Sequence, residues 1–418
     1  MLHTIAQPAS RNPDPGPVSR WAYFSSMPHH AMFTVGTLQA ILAILWWLTD
    51  LAGRYGQWFT PINWAIPSVW AHLFLLIFGL FPPYMFGFLM TTYPRWMSGM
   101  PVARQHYLGA AALLGGGILL TYGGLLAGRW WLLAGLLVYL AGWALGLYAL
   151  LRVYASAQRP DVLHARITSG VMAIGLLLLL GYWIGILFED ANWVALAREG
   201  GIWWFLFPVF FAVSHRLIPF FSQSALPDYV AFRPDWALWS ITSGAMAHGV
   251  MTWFGLHPWL WLVDLPMAAV ALWMSWRWEM RRTFQLRILA MLHVAFLWVG
   301  IGLLVIGLQS LGQWLGIDFI SGRSALHALL IGYFTSMLVA MSTRVTLGHS
   351  GQPLVADRQA WTLFIAIQGA ALLRLLAETS LNLGHPFAWL LLSALIWISA
   401  FTVWSVKFMP LYWRSPSR

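Results

Sequence analysis

Apolar positions along this chain come in long continuous stretches. They show neither the alternation of a half-buried strand nor the one-sided stripe of a surface helix. The stretches 105–128, 130–151, 167–188, 288–317 and 324–343 contain no charged residue. Roughly 20 residues of apolar helix span a bilayer core. On that measure the pattern predicts twelve membrane helices, near 31–51, 67–91, 107–127, 130–151, 166–188, 200–220, 236–256, 258–276, 287–310, 324–343, 360–380 and 386–408. The eighth is interrupted by Asp264 and the eleventh by Arg374 and Glu378, which makes them the weakest of the set. The fold class expected is an all-α polytopic bundle. Residues 31–408 form a single membrane domain between short tails at 1–30 and 409–418. No loop is long enough to fold separately, so any chemistry or transport belongs within the bundle or at its rims.

Composition agrees. Hydrophobic residues make up 60% of the chain and charged residues 9%, against about 45–50% and about 25% in soluble domains. The 29 tryptophans include pairs at the ends of apolar runs, Trp46-Trp47, Trp130-Trp131 and Trp203-Trp204. Interfacial anchoring accounts for such rings, with stacking on a cofactor as the alternative. The absence of cysteine excludes disulfides, thiolate metal sites and cysteine nucleophiles. Any metal must then be held by His, Met, carboxylate or backbone oxygen. The formal charge of +10 would suggest nucleic acid in a soluble protein. Here the basic residues occupy short loops, which points to topology and anionic lipid and not to nucleic acid. With the N-terminus inside, every Lys and Arg falls in inner segments or at inner helix ends except Arg54, Arg129, Arg198, Arg323 and Arg374. Both termini are therefore expected in the cytoplasm. Residues 1–28 show no secretory signal.

Ionisable residues within a bilayer are costly and are functional candidates by default. His72 and His327 each fall about one turn from the outer end of their helix, at matched depth. Two such histidines suit axial ligation of a haem iron, or a copper ion held from two sides. The alternative is a hydrogen bond from each to a neighbouring helix. The two helices also share a polar layout: His72 leads to Arg95 and Ser98-Gly99-Met100-Pro101, and His327 to Arg344 and Ser350-Gly351-Gln352-Pro353. Towards the inner side, His293, His349 and His215 offer a second grouping, or are simply buried and rim histidines. His29-His30 mark the start of the first helix, and His248 has no assigned role. Arg374 either pairs with Glu378 in the i,i+4 manner or faces a carboxylate such as a haem propionate. Pro82-Pro83 should kink the second helix. The glycine run Gly115-Gly116-Gly117 suits close helix packing. No phosphate loop, nucleophile elbow or His-Glu-x-x-His zinc motif is present.

These motifs resemble a known family. The stretch His327-Ala328-Leu329 through Met341-Ser342-Thr343-Arg344-Val345-Thr346-Leu347-Gly348-His349-Ser350-Gly351-Gln352-Pro353-Leu354 is similar to the signature of the NnrS family. Arg216-Leu217-Ile218-Pro219-Phe220-Phe221, Leu292-His293 with Phe296-Leu297-Trp298, Ala371-Leu372-Leu373-Arg374, and Gly87-Phe88-Leu89 with Pro94 and Trp96 follow the family's order. The resemblance runs from about residue 28 to 408. It implies a twelve-helix bacterial inner-membrane protein containing haem and copper, tied to nitric oxide metabolism or resistance to nitrosative stress. By position it implies His72, His293, His327 and His349 as metal or haem ligands, and Arg216, Arg344 and Arg374 as basic residues near a cofactor. No catalytic residue is implied. Two departures stand out. The second helix reads Trp70-Ala71-His72-Leu73-Phe74 where the family has two histidines and a glutamate. Met27-Pro28-His29-His30 replaces the usual aromatic-proline opening of the first helix. A transporter of a small molecule or metal ion, its path lined by histidines, is the competing reading. A haem–copper oxidase subunit lacks its required histidine motifs here, and a purely structural assembly factor is the blandest alternative.

Overall fold

The computed structural model describes residues 19–317, 323–377 and 386–414. Among these residues all regular structure is helical. Twelve long helices follow one another: α1 (Pro28–Arg54), α2 (Ser68–Met97), α3 (Arg104–Ala127), α4 (Arg129–Ala155), α5 (Leu163–Phe188), α6 (Ala191–Ala225), α7 (Asp235–Trp253), α8 (Trp261–Arg277), α9 (Arg287–Leu315), α10 (Ser324–His349), α11 (Arg358–Leu376) and α12 (Pro386–Phe408). Each takes the place of one predicted span. Ten are long and apolar enough to cross a bilayer; α7 and α8, of 19 and 17 residues, are the two that fall short of that measure. A short helix at Arg20–Phe24 and the start of α1 at Pro28 both lie inside the tail expected at 1–30. Residues 1–18 and 415–418 of the tails lie outside the described residues, as does Glu378, so its pairing with Arg374 is not described.

Helices adjacent in sequence pack as hairpins, most extensively α3 with α4, and α12 returns to lie along α1. The α3–α4 contact depends on glycine. A methyl group added at Gly124 would lie 2.3 Å from the Leu132 backbone nitrogen, and one at Gly117 would lie 2.6 Å from that of Tyr139. Of the run Gly115-Gly116-Gly117, only the last makes this contact. Gly115 faces Val35, and Gly116 has open space around it.

Three of the long helices change pitch. π-helical turns occupy Phe74–Leu80 in α2, Gly201–Leu206 in α6 and Ala328–Thr335 in α10. The first runs up to Pro82-Pro83 and the second up to Pro208. Proline lacks an N–H, so Pro82 leaves the Phe78 carbonyl without its usual i+4 donor. The Tyr139 hydroxyl of α4 donates to that carbonyl, and Gln39 Nε2 of α1 donates to the Leu75 carbonyl at 2.8 Å. The discontinuity expected at the proline pair is thus a widened turn whose freed Phe78 carbonyl is satisfied by a neighbouring helix. In α10, Thr335 and Ser336 hydroxyls donate back to the carbonyls of Leu330 and Ile331.

The tryptophans divide into two groups. Trp130 and Trp131 are exposed, as interfacial anchors should be. Trp203, by contrast, is 1% exposed and stacks on His248. Trp143, Trp278 and Trp397 each donate Nε1–H to a backbone carbonyl of another helix or loop, at 3.1, 2.7 and 3.1 Å.

Candidate functional site

At one end of the bundle, α1, α2, α10 and α11 bring together the residues expected at the outer side. His72 lies two residues before the π turn of α2, and His327 immediately before that of α10. The Trp47 ring of α1 covers His72 at 4.0 Å between centroids. His72, His327 and Arg374 lie within electrostatic reach of one another. His327 Nδ1 is 2.9 Å from the Arg323 carbonyl. A carbonyl only accepts, so Nδ1 carries the hydrogen and the lone pair is left on Nε2, the arrangement that metal-bound imidazoles show. Two further side chains come from the end of α1. Buried Asp50 accepts from Arg54 and, at 3.0 Å, from Trp64 Nε1, and its charge reaches His72. Asp50 has one partner at i+4 on its own helix, Arg54, and a second, Trp64, from the loop before α2, which the sequence does not reveal.

The other assigned residues lie elsewhere. Twenty-two residues of helix separate His327 from His349, about 33 Å at the usual rise. His349 meets His29 of α1, with 4.9 Å between ring centroids. His293 accepts from or donates to Ser222 at 2.9 Å, beside Trp278. His215 pairs with His164 of α5 at 3.1 Å and reaches the Pro234 carbonyl at 3.1 Å. His215, His293 and His349 thus keep three separate sets of neighbours and share no contact among the described residues. Arg216 lies 3.8 Å from Asp161 and over Trp96, and Arg344 lies 3.8 Å over the Phe221 ring. Both belong to the inner end, away from Arg374.

Three pairings escape a reading of the sequence. His248 Nδ1 and Asp264 Oδ1 are 2.7 Å apart, both fully buried, with Trp203 stacked on the imidazole at 3.5 Å. The His164–His215 pair joins α5 to α6. His29 and His30, read as marking a helix start, are buried against His349 and Tyr412. For His29 a signal was present: it and His349 sit at the same inner depth, which is the argument that linked His72 to His327.

Between the two ends lies an apolar cleft of about 470 Å³. Phe33, Tyr84, Phe88, Phe210 and the thioethers of Met85, Met337 and Met341 line it, and Tyr84 turns its hydroxyl away to Thr37 at 2.7 Å. Such a lining holds small apolar molecules and repels ions. Among the described residues no three His, Asp or Glu side chains converge as a ready metal cage. The clusters therefore offer imidazole pairs, at opposite ends of the bundle, with an apolar space between.

No curated protein matches the sequence. The NnrS protein family model matches residues 23–415, nearly the whole chain. With twelve helices in the expected order and that match over their full extent, the chain belongs to the NnrS family.

Proposed function

We propose that this protein binds haem, and copper beside it, in the bacterial inner membrane, and that it acts in nitric oxide metabolism or in resistance to nitrosative stress. The observation that carries the proposal is that His72, His327 and Arg374, from three helices at one end of the bundle, lie near enough to interact electrostatically, with the Ser324 hydroxyl of α10 donating to the Arg374 carbonyl of α11. The residues fit such a group. His327 presents a lone pair fixed by its Arg323 bond, His72 presents a second imidazole, and the Arg374 guanidinium matches a propionate. A bound haem would supply an iron able to take up a diatomic gas at an axial position that one of the two imidazoles leaves open. The chain's own contribution is to hold those groups at fixed depth, and the apolar cleft offers an uncharged gas a place within the bundle. The π turns that follow both histidines fit this reading, since such turns often occur at functional positions.

The visible spectrum of protein purified after growth with ample haem tests the proposal. A Soret band is expected in the wild type. His72→Ala and His327→Ala should each lose or shift it, and His293→Ala should leave it in place. A wild-type protein without the band overturns the haem assignment. A transporter remains the second reading, because buried ionisable pairs occupy the bundle well apart from this site, as at His248–Asp264 and His164–His215. Substrate flux in proteoliposomes prepared without haem would favour it.

A further inference from the structure

The apolar cleft between α1, α2, α6 and α10 opens at the inner end of the bundle. Along its walls exposure rises in that direction, from 1% at Met337 to 8% at Met341 on α10 and from 2% at Val209 to 8% at Val213 on α6, and likewise from Tyr84 to Phe88 on α2. Just beyond these residues two of the helices become basic. Arg216 follows Val213 by three positions and Arg344 follows Met341 by three, a spacing that keeps each arginine on the face that lines the cleft. Arg216 lies over Trp96 of α2 at 4.8 Å, and Arg344 lies over Phe221 of α6 at 3.8 Å, so the three helices meet at this mouth. Exposed Arg95 of α2, two turns on from Phe88, adds a further positive charge at the rim. Negative charge is scarce there. Arg216 has an exposed carboxylate, Asp161, at 3.8 Å. Among the described residues Arg344, only partly exposed, has neither a carboxylate nor a hydrogen-bond partner.

A guanidinium drawn partly out of water without an anion is destabilising, and an anion that reaches it removes that cost. A free anion would neutralise the arginines and leave the cleft unfilled. A purely apolar ligand would fill the cleft and leave Arg344 uncompensated. A molecule with a negative head and a hydrocarbon tail satisfies both. The inner leaflet supplies one in quantity, since anionic phospholipids lie on the cytoplasmic side and basic pockets between helices hold their heads. A phosphate also matches the forked geometry of arginine. A zwitterionic head would bring its ammonium to a rim that already carries Arg95, so an anionic head is favoured. The volume of about 470 Å³ falls within the range of ligand sites, about 300–1,000 Å³. We propose that the cleft binds an anionic phospholipid of the inner leaflet, with its phosphate at Arg344 and Arg216 and one acyl chain running past Met341 towards Tyr84 and Met337. A fluid chain in that space still dissolves an uncharged gas, so this site neither requires nor excludes a haem at His72 and His327.

The test uses the full-length protein, stripped of lipid in mild detergent, with phosphatidylglycerol added back and counted by native mass spectrometry. One phosphatidylglycerol should stay bound under conditions that release phosphatidylethanolamine of the same chains. Arg344→Gln should weaken that binding about tenfold or more, the scale of a lost hydrogen bond between charged groups. Arg129→Gln, at the outer end of α4, should leave it unchanged. Met341→Trp, which fills the cleft and keeps both arginines, should weaken it as well. Glycerol phosphate, a head without chains, should fail to displace the lipid. If a variant does not purify, phosphatidylglycerol carrying a photoreactive diazirine on its acyl chain, applied to the wild type, should label Met85, Met337 or Met341. Equal retention of the two lipids, undiminished binding in Arg344→Gln or Met341→Trp, displacement by glycerol phosphate, or labelling confined to the outer faces of the helices would overturn the proposal.

Discussion

The residues that decide the interior are those whose polar atoms have one partner and no alternative. Asp264 and His248 face each other in a region that gives neither a second choice. Removing one member of a buried pair leaves the other without compensation, at a cost of about 3–5 kcal/mol. Asp264→Ala and His248→Phe should each lower the thermal unfolding midpoint in detergent sharply, since each leaves the other member buried without its partner. Asp357 tests the opposite situation, at the solvent-exposed start of α11. The Ala360 N–H and the Lys407 ammonium both hold its carboxyl below the usual carboxylate range. Because the folded pKa is lowered, the stability it contributes is present above the ordinary carboxylate pKa and is lost as pH falls through the folded value. A melt series from neutral to acid pH should show that loss in the wild type. Asp357→Asn, which keeps an N-cap oxygen, should remove this part of the pH dependence. Residue by residue, the sequence exposed part of this. His72, His327 and Arg374 were legible from depth alone. The partners of His248 and His215 were not, because the contact between two helices depends on their rotation, which hydropathy does not encode once a helix is apolar all round.

At the scale of elements, the departures from regular helix carry the information. Pro82-Pro83 announced a break in α2, and its consequence was readable: a carbonyl without a donor. The remedy was not readable, since it comes from Tyr139 on α4. Tyr139→Phe should therefore destabilise the protein by about 1–3 kcal/mol, the cost of a buried carbonyl left unpaired. In a Pro82→Ala background, which restores the backbone N–H, the same substitution should cost measurably less. Additive effects in that double-mutant cycle would show that the hydroxyl and the proline act separately. The π turn of α10 had no such herald, because no proline follows it. Its carbonyls are satisfied locally by Thr335 and Ser336, residues that in sequence look like ordinary polar insertions.

For the whole molecule, the number and order of helices were legible because each element must satisfy its own backbone within lipid. The two helices that fall short of a full apolar span, α7 and α8, carry the His248–Asp264 pair between them, so the apolar signal is weakest where the interior is polar. Reporter fusions in the loop before α9, near Arg282, should locate to the cytoplasm, and fusions at Asp190, between α5 and α6, to the far side. The reverse pattern would invert the assignment of inner and outer ends. The seam between the first and last helices has a consequence for biosynthesis. Trp397 of α12 bonds to the Ala40 carbonyl of α1, and Trp413 stacks on Phe24 at 3.9 Å. α1, made before α12, therefore waits for it before its surface is covered. Until α12 is made, the flank of α1 that receives Trp397 must be sheltered by lipid or an insertion factor, and a chain stopped short of α12 would present that open flank to the proteases that clear incomplete membrane proteins.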